Sequence, residues 1–178
     1  MSASGPAMNP PAPTKAANLV AELEALHASS FGWAMACCRR NADHASDVLQ
    51  QAYAKVLAGQ ARFDGRSSVR TWFFGVIRMT AREHQRWAWL RWAGFVEPEP
   101  VQPDALAEAT QDARALSRAL TQLAARQREC LHLVFYEGIS INEAAQVMGI
   151  SVGSARQHYE RAKKNLRAAL VKEGVDHG

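Results

Sequence analysis

Apolar positions recur at three- and four-residue intervals along most of the chain, the spacing that lines up side chains on one face of an α-helix. The rhythm runs through Leu19, Leu23 and Leu26, then through Phe31, Ala34, Met35 and Cys38, until the polar segment RRNADHAS interrupts it. Ser46 or Asp43 can cap a following helix, in which Val48, Leu49, Ala52, Tyr53, Val56 and Leu57 keep the pattern and Gly59 ends it. The segment ARFDGRSS holds turn-forming residues around Gly65, and Ser67 or Ser68 can cap a long helix from about Val69 to Trp92.

Between Gly94 and Asp112 the rhythm stops, and Pro98, Pro100 and Pro103 stand among acids, the composition of a solvated linker. It resumes near Ala113. Leu116, Leu120 and Leu123 set one helix; Gln127, Leu131, Val134 and Phe135 continue into a second, which Gly138 closes. Two further helices, Ile141 to Met148 and Val152 to Leu170, are joined by Gly149-Ile150-Ser151. No alternating β pattern of useful length occurs, so the expected fold is all-α, with two small helical domains joined by a flexible linker. The expected boundaries are a disordered tail at 1–17, a first domain at 18–93, a linker at 94–112, a second domain at 113–172 and a short tail at 173–178.

Composition narrows the class. With 178 residues, 48% of them hydrophobic, the chain can bury a core but not two large ones. Its formal charge of +4 understates a segregated pattern. Seven arginines and two acids lie between Arg62 and Arg91, six basic residues and one acid between Gly153 and Lys172, and five acids with no basic residue between Glu97 and Asp112. Two basic blocks held apart by an acidic connector point to a polyanionic partner. No stretch approaches the roughly 18 to 20 apolar residues of a membrane span, so membrane insertion is not expected. The N-terminal MSASGPAMNPPAPTKAAN has no signal-peptide core, and a cytoplasmic protein is expected. Cys37, Cys38 and Cys130 fit free thiols better than a disulfide framework, and no metal or other cofactor is expected. Neither a phosphate loop nor a nucleophile elbow nor a flanked carboxylate pair is present, so the chain does not read as an enzyme.

Three segments carry recognisable chemistry. Residues 140–166, SINEAAQVMGISVGSARQHYERAKKNL, have a capping serine, a glycine turn and a basic second helix, the make-up of a helix-turn-helix. Arg156 and Gln157 sit where side chains reach base edges, arginine suiting guanine and glutamine suiting adenine, while Arg161, Lys163 and Lys164 are placed for phosphates. Residues 61–92 place Arg78, Arg82 and Arg86 four apart in one stripe beside Trp72, Phe73 and Phe74. Read alone, those rings suit a core as well as a platform for unpaired bases. Residues 45–57, ASDVLQQAYAKVL, form an amphipathic helix with Asp47, Gln50 and Gln51 on its polar side.

With these phrases in order, the chain resembles a bacterial RNA polymerase sigma factor of the extracytoplasmic-function (ECF, group IV) kind, built from sigma-2 and sigma-4 domains. The resemblance covers about residues 19–93 and 113–172 and rests on DVLQQAYAKVL, RFDGRSSVRTWFF and residues 119–170. It implies that Asp47, Leu49, Gln50 and Gln51 contact the clamp helices of the largest subunit of core RNA polymerase. It implies that the loop from Phe63 to Val69, with Arg66 and Ser67, forms a pocket for a flipped base of the minus-10 element, walled by the helix carrying Trp72 and Met79. Arg78, Arg82 and Arg86 then track the melted strand. Arg156, Gln157, Glu160 and Arg161 match positions that face the minus-35 element, with Ser151, Ser154 and Lys164 beside them. An anti-sigma factor is the implied regulator, and promoter DNA the implied ligand.

Three positions depart from the family pattern. Met79 stands where an asparagine often follows the arginine, and it cannot make that side chain's hydrogen bonds. Asp47-Val48-Leu49-Gln50-Gln51 replaces Asp-Leu-Val-Gln-Glu, with one charge fewer. Glu160 puts an acid on the recognition helix, able to accept from a cytosine amino group or to repel phosphate. Rival readings are a stand-alone helix-turn-helix regulator, a sensor built on Cys37, Cys38, Cys130 and His132, and a helical RNA-binding protein.

Overall fold

Helix starts are set by small polar side chains that take the orphan backbone N–H groups of the first turn. In the computed structural model, which describes residues 15–91 and 110–172, the described residues form eight α-helices. They are α1 (Lys15–Ala25), α2 (His27–Cys37), α3 (Ala42–Leu57), α4 (Val69–Arg91), α5 (Gln111–Thr121), α6 (Ala125–Leu131), α7 (Ile141–Met148) and α8 (Val152–Lys172). No strand occurs among the described residues. Most of the expected tails and linker lie outside them. What is described shows α1 reaching back to Lys15, inside the expected tail, and Thr110 capping α5 from within the expected linker.

α3 starts earlier than expected. Its cap is Asn41, whose Oδ1 accepts the His44 N–H at 2.9 Å, in place of Ser46 or Asp43. Arg39 and Arg40 both take left-handed backbone, φ 53° and 64°, and so reverse the chain and aim Asn41 at the open helix end. For α4 the cap is Ser68, whose Oγ accepts the Thr71 N–H at 3.1 Å. α6 does not run on through Phe135. A π-helical turn over His132–Tyr136 follows it, burying Leu133 and leaving Phe135 78% exposed. The wider turn rotates the apolar face, so the three-four rhythm no longer tells inside from outside. In α5, Ala115 and Ala119 are buried while Leu116 faces outward, because the small side chains admit the backbone of α8.

α2, α3 and α4 pack around Trp33, Val48, Phe73, Phe74 and Ile77, all without measurable exposure. Burial of each large apolar side chain contributes about 1.5–3 kcal/mol. The Trp33 indole N–H also donates to the Phe74 carbonyl at 2.9 Å, pinning α2 to α4. α6, α7 and α8 pack together in the C-terminal half. The two halves then share one core: Leu133, Ile139, Ala144, Val147 and Met148 join the same apolar cluster as Trp33, Phe73 and Phe74. α7 lies against α4. The two small helical domains expected from the sequence thus pack on each other, with α4 burying a third side against the second.

Candidate nucleic-acid interface

Gly65, at φ +77°, turns the loop before α4, and the loop folds over one side of that helix. Between loop, α3 and α4 lies a cleft of about 790 Å³, within the range that takes a small organic ligand. Arg66, Ser67, Trp72 and Met79 line it, and Met79 stands 64% exposed. Phe63 backs Trp72, their ring centroids 5.3 Å apart. Arg66 pairs with Asp64 at 3.3 Å, but both are largely exposed, and such a pair contributes about 0–1 kcal/mol.

Lys55, Thr80 and Glu83 also line the cleft, and sequence reasoning missed them. Lys55 Nζ donates to Thr80 Oγ1 at 3.1 Å and to Glu83 Oε2 at 2.5 Å. The available signal was Glu83 itself, the lone acid of a basic helix, one turn from Met79 and Thr80. Gln146 of α7 completes the wall, so the second half of the chain helps shape the cleft.

The arginine stripe is divided. Arg82 and Arg86 are exposed. Arg78 is 6% exposed and faces the second half, where it pairs with Glu129 at 3.0 Å and donates to the Met148 carbonyl at 2.9 Å. It is therefore not open to a strand in this arrangement, because α6 and α7 cover the side of α4 it occupies.

The helix-turn-helix is built from local rules. Ser140 and Glu143 form a reciprocal capping box on α7, and Gly149 takes φ +61°, the left-handed turn that ends it. Ser151 caps α8 by accepting the Ser154 N–H at 3.1 Å. Ala155, Ala162 and Ala169 are buried, which turns Arg156, Gln157, Glu160, Arg161 and Lys164 to solvent on the opposite side. Glu160 pairs with Lys163 at 2.9 Å, and Lys163 lies over the Tyr159 ring at 4.8 Å. The acid thus has a cationic partner one turn along its own helix and stays exposed beside Arg156 and Gln157.

On α3, Asp47, Gln50 and Gln51 are exposed together. Leu49, grouped with them from the sequence, is 4% exposed and packs into the core, because it falls on the apolar side of the helix beside Val48 and Ala52. The cysteines are all buried and unpaired. Burial pushes the Cys38 thiol up to about 11; burial and Glu129 do the same for Cys130. Thiols in that state are protonated and unreactive at neutral pH. No cluster of three metal-ligating side chains occurs among the described residues. None of their helices is long and apolar enough to cross a membrane.

Residues 24–91 match the sigma-70 region 2 family and residues 113–166 the sigma-70 region 4 family. The ECF RNA polymerase sigma factor SigX of Bacillus subtilis is 30% identical over 138 residues, 72% of this chain and 71% of that one. The ECF RNA polymerase sigma factor EcfG of Rhodopseudomonas palustris is 30% identical over 143 residues, 76% of each. The sigma factor RpoE of Bartonella quintana, solved in complex with the anti-sigma factor NepR, superposes with a TM-score of 0.73 at 25% identity, covering 90% of this chain and 99% of that one. Region 2 carries the cleft and region 4 the helix-turn-helix, in the family's order, and the chain belongs to the ECF RNA polymerase sigma factors.

Proposed function

We propose that this chain binds core RNA polymerase and directs promoter recognition and melting at the start of transcription. The observation that supports this best is the pairing, in one chain, of an exposed basic recognition face on α8 with an open cleft under the 63–69 loop. The first suits duplex DNA, where Arg156 and Gln157 meet base edges and Arg161 and Lys164 meet phosphates. The second suits an unpaired base, with Trp72 as an apolar wall and Lys55, Ser67, Thr80 and Glu83 as hydrogen-bonding groups. Binding energy for the exposed strand offsets the cost of unpairing, and no covalent step is required of the protein, which acts as an initiation factor and not as an enzyme.

In this reading residues 18–93 form the polymerase- and minus-10-binding domain, 94–112 the linker and 113–172 the minus-35-binding domain. Asp47, Gln50 and Gln51 contact the polymerase clamp helices. The protein works in the cytoplasm, and an anti-sigma factor regulates it, as the complex of the Bartonella relative supports. The test is run-off transcription with purified core polymerase on a pool of promoter fragments, sequencing the starts. Protein-dependent starts that share two upstream motifs at fixed spacing are expected. Tight duplex binding without polymerase and no dependent starts would leave a stand-alone regulator.

A further inference from the structure

We propose that the cleft selects guanine as its unpaired base, through the ion pair of Lys55 and Glu83 on its floor. The inference rests on the minus-10 reading given above and deepens it, naming the base and the residue that selects it. The floor is asymmetric in its hydrogen-bonding groups. Lys55 Nζ directs two of its three N–H groups inward, to Thr80 Oγ1 at 3.1 Å and to Glu83 Oε2 at 2.5 Å. Thr80 has no donor left for a ligand, because its hydroxyl donates to the Val76 carbonyl at 2.9 Å. One ammonium N–H therefore remains, beside a carboxylate whose Oε1 has no partner among the described residues and whose Oε2 keeps a lone pair. In order along the floor stand one donor and two acceptors. The Glu83 side chain is 44% exposed and that of Lys55 25%, so both reach the open space of the cleft.

The pairing edge of guanine carries the complement in the same order: the O6 acceptor, then the N1–H and N2–H donors. Against this floor O6 takes the free Lys55 N–H, N1–H meets Glu83 Oε2 and N2–H meets Oε1. The other bases leave a mismatch. Thymine presents acceptor, donor and acceptor, so its O2 faces a carboxylate oxygen. Cytosine sets two acceptors against the one ammonium donor, and adenine has a single amino donor that leaves one carboxylate oxygen unmet. A site built from polar groups rejects the wrong partner strongly because those groups are then left unpaired. Trp72 and the exposed Met79 supply apolar surface for the faces of the ring, and a volume of about 790 Å³ admits a purine. Lys55 lies on α3, and Thr80 and Glu83 on α4, so the selection is built into the first half of the chain alone.

The test uses the full chain with core RNA polymerase, in run-off transcription from promoters randomised across the minus-10 element. Starts made with the parent are expected to share one non-template guanine within the melted stretch. Glu83→Gln turns an amide N–H toward the donors of the base. It is expected to lower the preference for guanine at that position about tenfold, with the minus-35 preference and helical circular dichroism retained. A second arm replaces that guanine by inosine, which keeps O6 and N1–H but lacks the N2 amino group. Inosine is expected to lower output about tenfold with the parent and to leave output with Glu83→Gln unchanged. Should Glu83→Gln fail to fold, inosine against the parent carries the test alone. A different base shared in the melted stretch, guanine preference retained by Glu83→Gln, or inosine used as well as guanine by the parent would each overturn the guanine assignment and leave the minus-10 reading standing. No protein-dependent starts with the parent would overturn the reading beneath it as well.

Discussion

Glu143→Ala is the substitution that most directly tests how the helix-turn-helix is held. The Glu143 carboxylate accepts from the Ser140 backbone N–H at 2.9 Å, the Ser140 hydroxyl at 2.8 Å and the Thr71 hydroxyl at 3.2 Å. It therefore ties the start of α7 to itself and to the start of α4, whose own cap, Ser68, donates to Thr71 at 2.9 Å. Losing the reciprocal half of a capping box costs about 0.5–1 kcal/mol, and the half-buried hydrogen bond from Thr71 about 1 kcal/mol more, for a total of about 2 kcal/mol. For a chain of this size that is a fall in Tm of about 4–8 °C. The pH dependence carries the sign. The Ser140 backbone N–H, then the Ser140 and Thr71 hydroxyls, hold the Glu143 carboxyl below its ordinary range against the opposing effect of burial. A carboxylate with a depressed folded pKa stabilises fully above its unfolded value of about 4.3 and loses that contribution as pH falls through the folded value. The gap between parent and variant should therefore be widest near neutrality and close in acid. Thermal and urea unfolding, followed by circular dichroism from pH 7 to 3, measures it. A gap below about 0.5 kcal/mol at neutrality, or one that persists undiminished into acid, would refute the assignment to an ionised cap.

Arg156→Ala should lower discrimination among minus-35 sequences by roughly 1–3 kcal/mol while core polymerase binding is unchanged; equal loss on every promoter would show that Arg156 holds phosphate instead. Asp47→Lys, on the exposed side of α3, should weaken affinity for core polymerase without lowering Tm, checked by competition binding and calorimetry. Met79→Asn places an amide on the rim of the cleft and should shift the base preferred at minus 10, read by sequencing run-off starts from a randomised promoter pool.

The elements legible in the sequence are those whose causes lie within one or two helical turns. Ser140 with Glu143, the left-handed Gly149 and the Ser151 cap specify α7, the turn and the start of α8 by hydrogen bonds spanning three to five residues. Alanine at 155, 162 and 169 implies which side of α8 meets solvent, and Arg156, Gln157, Glu160 and Arg161 follow from the helical period. α3 and α4 were legible as helices for the same reason, although Asn41 displaced the expected cap because two left-handed arginines re-aimed the chain there.

What the sequence determined by itself is thus the all-α class, the two sigma regions and the solvent-facing side of α8, since periodicity and capping are short-range. Tertiary structure alone decided the fate of Arg78. An arginine four residues from the next reads as one solvent stripe until a carboxylate 51 positions away arrives to bury it. It decided Leu49, which a contiguous motif swept in with its exposed neighbours, and it assembled the floor of the cleft from Lys55 and Glu83, 28 residues apart on different helices. Whether a charge faces water, a partner or a phosphate depends on which surface packs over it, and that is settled only when distant helices share one core.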